Sequence, residues 1–230
     1  MINIRRAEQR GKANFGWLKS RHSFSFGQYY DPEQMGFSAL RVINDDYVAP
    51  GMGFDTHGHK DMEIISYVTQ GKIAHKDSYG HEKVLPAGEF QLMSAGKGIY
   101  HSEYNASKTG ELRFLQIWIQ PNEFGQAARY QQQAFEQTGA LTAVITPNGE
   151  NGTLQIKQDA TLYRLRLAAG EQVNYPTTET RNTYVHLISG ELTLDGQPLQ
   201  PGDGARITGI GELRLASRTS AVEALVFDLP

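Results

Sequence analysis

Cysteine is absent from this chain of 230 residues. That excludes disulfides, thiolate metal sites and a cysteine nucleophile, and it leaves the compartment unmarked. No stretch approaches the roughly 18 apolar residues of a membrane-spanning helix. The N-terminal Met1 to Arg10 lacks the apolar centre of a secretory leader. Excess charge is missing too: 22 basic and 25 acidic residues leave a net −3, with no basic cluster. Neither nucleic acid nor a membrane surface is therefore an expected partner. No glycine-rich phosphate loop or dinucleotide fingerprint occurs. The expectation is a soluble, cytoplasmic, monomeric protein.

What the chain does contain is turn and strand chemistry. Hydrophobic residues make up 39% and charged residues 20%, enough apolar material for a sizeable core. With 24 Gly, 11 Tyr and 10 Phe, the balance favours aromatic-rich strands and many turns over long helices. Residues 38–43 and 63–69 are rich in β-branched and aromatic side chains, and Gln70-Gly71 ends the second run. Residues 111–120 read as a strand with a bulge, because Leu112 and Phe114 are followed by Ile117 and Ile119. Leu162 to Leu167 alternates strictly, and Asp195-Gly196 between apolar runs marks a hairpin. Pro201-Gly202-Asp203 repeats the turn idiom of Pro86-Ala-Gly88-Glu89. Gln126 to Glu136 is polar and rich in helix formers, so it is expected as a short helical or irregular linker. The fold class is all-β: two β-barrel or jelly-roll domains packed together, residues 1–135 and 136–230.

Two short motifs carry the chemistry. His57-Gly-His59 and His101-Ser-Glu103 each place two candidate ligands two residues apart. On a strand, such residues leave the same face, so neighbouring strands can aim three imidazoles and a carboxylate at one point. That donor set suits Fe(II), Mn, Ni, Cu(II) or Zn. Four protein ligands around an octahedral ion leave positions open for substrate, which is catalytic coordination. The remaining candidates read more plainly. Glu63 stands an even number of residues beyond His59, as an outer support of the site or a strand acid. His75 and Asp77 are expected on an exposed hairpin edge, and His81 in a surface turn. His22 is expected packed or hydrogen-bonded. Asn44-Asp45-Asp46 is expected as a solvated loop. His186 has no companion, so the second domain should lack such a site. Met52, Phe54, Met93, Ile99 and Tyr100 flank the ligands and are candidates either to line an apolar pocket or to fill core.

Gly51-x5-His57-x-His59-x3-Glu63 with Gly71 resembles the first cupin motif, and Gly80-x5-Pro86-x-Gly88 the start of the second. The usual second-motif histidine position is Gln91 here. Arg21-His-Ser-Phe-Ser-Phe-Gly-Gln-Tyr-Tyr30, Gly36 to Asp46 and Met93 to Glu103 are similar to the pirin family, whose fold is a bicupin. The match is strong over residues 1–120, and the second half resembles bacterial pirin-like quercetin 2,3-dioxygenases. The resemblance implies one divalent metal per chain, Fe(II) foremost, with Zn, Mn, Ni or Cu as alternatives. Its ligands would be His57, His59, His101 and Glu103, with Glu63 not a ligand. It implies a dioxygenase that opens a flavonol-like aromatic with O2 and releases carbon monoxide, Glu103 also acting as catalytic base. The alternative it implies is a non-enzymatic, metal-binding regulatory protein.

Overall fold

Alternating apolar residues and frequent turns produce strands almost throughout, and the computed structural model describes residues 1–230. Helix is confined to two 3-10 turns, Ala7–Gln9 and Glu150–Gly152. By contact the chain forms two compact units. The first comprises Gly11–Phe135 with Ile156–Gln158; the second comprises Met1–Arg10, Glu136–Gln155 and Asp159–Pro230. Strand β1 (Ile2–Arg5) belongs to the second unit.

The first unit holds β2 (Gly11–Asn14), β3 (Leu18–His22), β4 (Leu40–Val48), β5 (Gly53–His59), β6 (Glu63–Gln70) and β7 (Lys72–Asp77). It continues with β8 (Glu82–Pro86), β9 (Glu89–Ser94), β10 (Ile99–Asn105), β11 (Leu112–Ile119) and β12 (Arg129–Ala134). Seven of them form a sheet in the order β12-β9-β6-β11-β4-β3-β2, and four form a second sheet, β5-β10-β7-β8. Ile73, Leu85, Leu112 and Phe114 close one end of the interior, and Ile64, Met93 and Ile99 pack another part. The bulge expected in β11 is absent: its register runs unbroken from Phe114 to Ile117, and the extra residues lie in its neighbours, Thr69 of β6 opposite Arg113/Phe114 and Arg41 of β4 opposite Trp118/Ile119.

The second unit adds β13 (Leu141–Thr146), β14 (Leu154–Gln155), β15 (Thr161–Leu167), β16 (Gln172–Pro176) and β17 (Asn182–Ser189). After these come β18 (Leu192–Leu194), β19 (Gln197–Leu199), β20 (Gly204–Thr208), β21 (Glu212–Ser217) and β22 (Val222–Leu229). Its sheets run β1-β20-β17-β22-β15-β13-β14 and β16-β21-β18-β19. The order β20-β17-β22-β15 repeats β9-β6-β11-β4, and β16-β21-β18-β19 repeats β5-β10-β7-β8. Each unit is thus a two-sheet barrel of cupin type, and the all-β bicupin expectation holds. Asp195 and Gly196 both have positive φ, 46° and 81°. That is the left-handed pair a two-residue hairpin needs between β18 and β19.

The linker expected to be helical or irregular contains no helix but a strand. Residues 129–134 form β12, paired antiparallel with β9 from Arg129↔Ser94 to Ala134↔Glu89. Helix propensity differs by only a few tenths of a kcal/mol per residue among such side chains. Covering the open edge of β9 with a ladder of backbone hydrogen bonds outweighs it. In the second unit, β1 covers the edge of β20 in the same way.

The interior of the second unit is apolar where the first has histidines. Tyr175, Leu213 and Leu215, on β16 and β21, lie within one buried cluster with Leu187, Leu194 and Val226. His186 is the exception, buried on β17 with Nδ1 unpartnered. Burial, helped by the Arg10 charge, holds its pKa down at about 3 against an ordinary 6.5. A histidine buried neutral contributes stability that is complete above the unfolded pKa, since below it the unfolded chain takes up the proton first. That stability is lost as pH falls from 6.5 towards 3. The second unit should therefore lose about 1.4 kcal/mol per pH unit in this window. Urea unfolding followed from neutral to mildly acidic pH should show this slope, and His186→Leu should flatten it. An unchanged slope in the variant would assign the acid sensitivity elsewhere.

Candidate metal centre and aromatic cavity

The two dyads lie on adjacent antiparallel strands. In the β5–β10 pair, His101 stands opposite His57 and Ile99 opposite His59. Strand alternation points His57, His59 and His101 to one side, and their ring centroids lie 4.5 to 4.9 Å apart. One ligand atom from each falls within 4.8 Å of the others. A register shift between His101 and Glu103 brings Glu103 opposite Phe54 and Tyr104 opposite Gly53. The strands approach so closely there that a Cβ on Gly53 would stand 2.3 Å from the Glu103 carbonyl oxygen.

His57 donates from Nδ1 to the Asp55 carbonyl oxygen at 2.7 Å, which leaves Nε2 with its lone pair. His101 is 1% exposed and neither ring nitrogen has a hydrogen-bond partner. Burial lowers its pKa to about 3, with the neighbouring His57 and His75 adding to the effect. Burial and the charges of His101 and His57 bring His59 to about 4. At neutral pH His59 and His101 carry lone pairs rather than added protons, the form a metal ion requires. A buried imidazole with two unpaired nitrogens is unfavourable unless something binds it. The donor set and the orphaned His101 both fit a divalent cation.

Glu103 is 2% exposed and is gripped from the opposite sheet. Ser66 Oγ donates to its Oε1 at 3.1 Å, and Gln116 Nε2 to its Oε2 at 2.8 Å. Glu103 belongs to a second cluster, with His101 and His75, whose ligand atoms also lie within 4.8 Å. His101 is common to both clusters.

His75 and Asp77 are not on an exposed edge: both side chains are fully buried. Their alternation turns them inward on β7, and His75 faces Glu103 across the β7–β10 ladder. Asp77 accepts from His75 Nε2 at 3.1 Å and from His81 Nδ1 at 2.9 Å. Burial pushes the Asp77 pKa up. Hydrogen bonds from His75, His81 and the Tyr79 amide outweigh it and hold the carboxyl below its usual value. With Nε2 engaged, His75 Nδ1 is left unpartnered. Glu63 is buried as well, but it works away from the histidines, accepting from Ser94 Oγ at 2.8 Å and the Lys157 amide at 3.2 Å.

A cavity of about 700 Å³ opens against His57 and His59. Phe26, Tyr29, Phe54 and Trp118 give it aromatic walls. Of the five apolar residues considered as pocket lining, Phe54 alone is among those lining this cavity. Met93 and Ile99 are core, while Met52 and Tyr100 are exposed. Gln116, Asn44 and His22 give it a polar side, and they belong to a row that crosses the large sheet at one level and continues beyond the cavity through Ser66 and Gln91. Directly opposed residues share a face, and all five are buried. His22 donates from Nδ1 to Asn44 Oδ1 at 2.8 Å and packs against Phe26 and Tyr29, in line with expectation. Asn44 and Asp46 are not loop residues but buried members of β4, because their neighbours β3 and β11 cover them on both sides. Sequence reasoning missed His75, Asp46 and Gln116. For His75 the i, i+2 spacing with Asp77 was the available sign; Asp46 and Gln116 carried none.

Two cupin-type units, one of them enclosing a histidine cluster, define a bicupin with a metal-type centre. The comparisons narrow this. The Pirin family description matches residues 3–119, and the quercetinase C-terminal cupin domain matches residues 143–229. The chain belongs to the pirin family. It is 46% identical to the quercetin 2,3-dioxygenase of Escherichia coli K12, covering 100% of this chain and 99% of that protein. A pirin-like protein of Caulobacter vibrioides is 38% identical over 98% of this chain and 99% of its own length. Among solved structures, the bacterial pirin YhhW from Escherichia coli in complex with nickel(II) is 46% identical. It superposes with a TM-score of 0.97, covering 100% of this chain and 99% of that one.

The close approach at Gly53 makes a testable demand. Gly53→Ala should force β5 away from β10 and cost about 1–3 kcal/mol, measured by urea unfolding. The displaced His57 should also weaken metal uptake, read by equilibrium dialysis. Full stability with normal uptake would show that the two strands tolerate separation.

Proposed function

We propose that this chain is a metal-dependent dioxygenase of the pirin-like quercetin 2,3-dioxygenase type. It holds one divalent ion, iron(II) foremost, through His57, His59, His101 and Glu103, and opens the heterocycle of a flavonol-like aromatic with O2. The observation that carries the reading is the three-histidine cluster, with His101 unpartnered, beside an aromatic-walled cavity lined by His57 and His59. Full-length similarity to a quercetin 2,3-dioxygenase supports it. The chemistry belongs to the first unit, Gly11–Phe135 with Ile156–Gln158, and the second unit is without a metal site.

A divalent ion in this cluster supplies Lewis acidity towards a bound hydroxyl oxygen and an electronic link between an electron-rich ring and dioxygen. The chain's own groups orient and deprotonate. Phe54 and Trp118 offer ring faces and edges to a flat ligand, with Trp118 edge-on to His59 at 5.0 Å and to Phe26 at 5.4 Å. These walls exclude water and restrict the ligand to poses that present one edge to the histidines. Glu103 takes the substrate's hydroxyl proton. Ser66 and Gln116 each occupy only part of the accepting capacity of its oxygens, so a lone pair remains for that proton. Gln116 holds the carboxylate in place from the cavity side, since it lines the cavity itself.

The test is oxygen uptake with quercetin after reconstitution with Fe, Mn, Ni or Cu. Uptake should be abolished by chelation and restored by the metal. Glu103→Gln should lower turnover by about 100-fold or more while metal content stays within about twofold, because three imidazoles remain. Full activity in that variant at normal occupancy would remove Glu103 from the proton step. No uptake with any of the four metals would shift the reading to a non-enzymatic, metal-binding regulatory protein.

A further inference from the structure

Asp46 is a buried carboxyl in the wall of the cavity, and its Oδ1 has no hydrogen-bond partner. It projects from β4, is 2% exposed, and lines the cavity with His57, His59 and Trp118. Its neighbours across the sheet are Ser20 on β3 and Phe114 on β11. Ser20 hydrogen-bonds the carboxyl, Phe114 offers it nothing, and Oδ1 has no partner. Among the polar groups that line the cavity with it, His22 bonds Asn44 and Gln116 bonds Glu103. Burial drives the Asp46 pKa upward, Ser20 pulls it partly back, and the charges of Asp45 and Glu103 raise it again, leaving it at about 7. Trp118 Nε1, on the same cavity, is likewise unpartnered. Buried acceptors and donors left open on a cavity wall are the groups a ligand satisfies.

We propose that Asp46 is the specificity residue of this cavity. Its Oδ1 accepts a hydrogen bond from a ring hydroxyl other than the one presented to the histidines, so the site selects polyhydroxylated flavonols over singly hydroxylated ones. The inference rests on the flavonol reading above and adds a second point of recognition to it. A site built to pair a substrate hydroxyl discriminates against the analogue lacking it, because the buried acceptor is then left unpaired.

The experiment compares anaerobic binding of quercetin and 3-hydroxyflavone to the nickel-loaded protein, by fluorescence quenching, with metal content measured alongside. Wild type should prefer quercetin by about tenfold. Asp46→Leu should lose that preference while its affinity for 3-hydroxyflavone and its metal content stay unchanged. Asp46→Asn should retain part of the preference, since an amide oxygen still accepts, and it carries the same comparison if the leucine variant does not fold. An undiminished preference in the folded variant overturns the anchor alone. So does an equal loss of both ligands, which would place Asp46 on the shared hydroxyl or in support of the fold. Failure of the wild type to bind either flavonol overturns the flavonol reading, and the anchor with it.

Discussion

The grip on Glu103 is the constraint around which the first unit is organised. Its backbone belongs to the four-stranded sheet, yet both its oxygens are held by Ser66 and Gln116 of the seven-stranded sheet. A buried carboxylate without such donors would cost several kcal/mol or take up a proton. Hydrogen bonds to a charged group are worth about 1.5–3 kcal/mol each. The polar row across the large sheet and the histidines on the small one are thereby locked into a single register.

That register explains the electrostatics. With three imidazoles brought within 5 Å, burial first and the neighbouring rings second hold the pKa values of His59 and His101 down. The cluster sets three imidazoles beside a buried carboxyl group, a donor set that suits a cation. Asp77 serves the same end one strand further on. By accepting from His75 and His81 it fixes the His75 ring with Nδ1 unpartnered, in the cluster shared with His101 and Glu103.

The two units show how little of this follows from topology. Their strand orders repeat, and each large sheet has its exposed edge covered, by β12 in one and β1 in the other. Where the first barrel places His57 and His101, the corresponding strands of the second carry Tyr175, Leu213 and Leu215 inside an apolar cluster. A barrel filled in this way has spent its interior on core, while one lined by paired polar groups keeps space for a ligand.

The sequence alone determined the strand-rich architecture, the hairpin at Asp195-Gly196 and the two dyads, because all depend on short-range periodicity and turn chemistry. The motif similarity pointed to the pirin family, to which the chain belongs. Tertiary structure decided the rest. Gln126 to Glu136 has helix-forming composition, but the open edge of β9 claimed Arg129–Ala134 within it as a strand. Met1–Arg10 is counted with the second unit only because β1 pairs with β20, a ladder between residues about two hundred positions apart. Asn44, Asp46, His75 and Asp77 look like surface residues by polarity. Asn44 and Asp46 find their partners on β3, while His75 and Asp77 bond each other and the turn after β7; all four are buried by strands that become neighbours only in the folded chain.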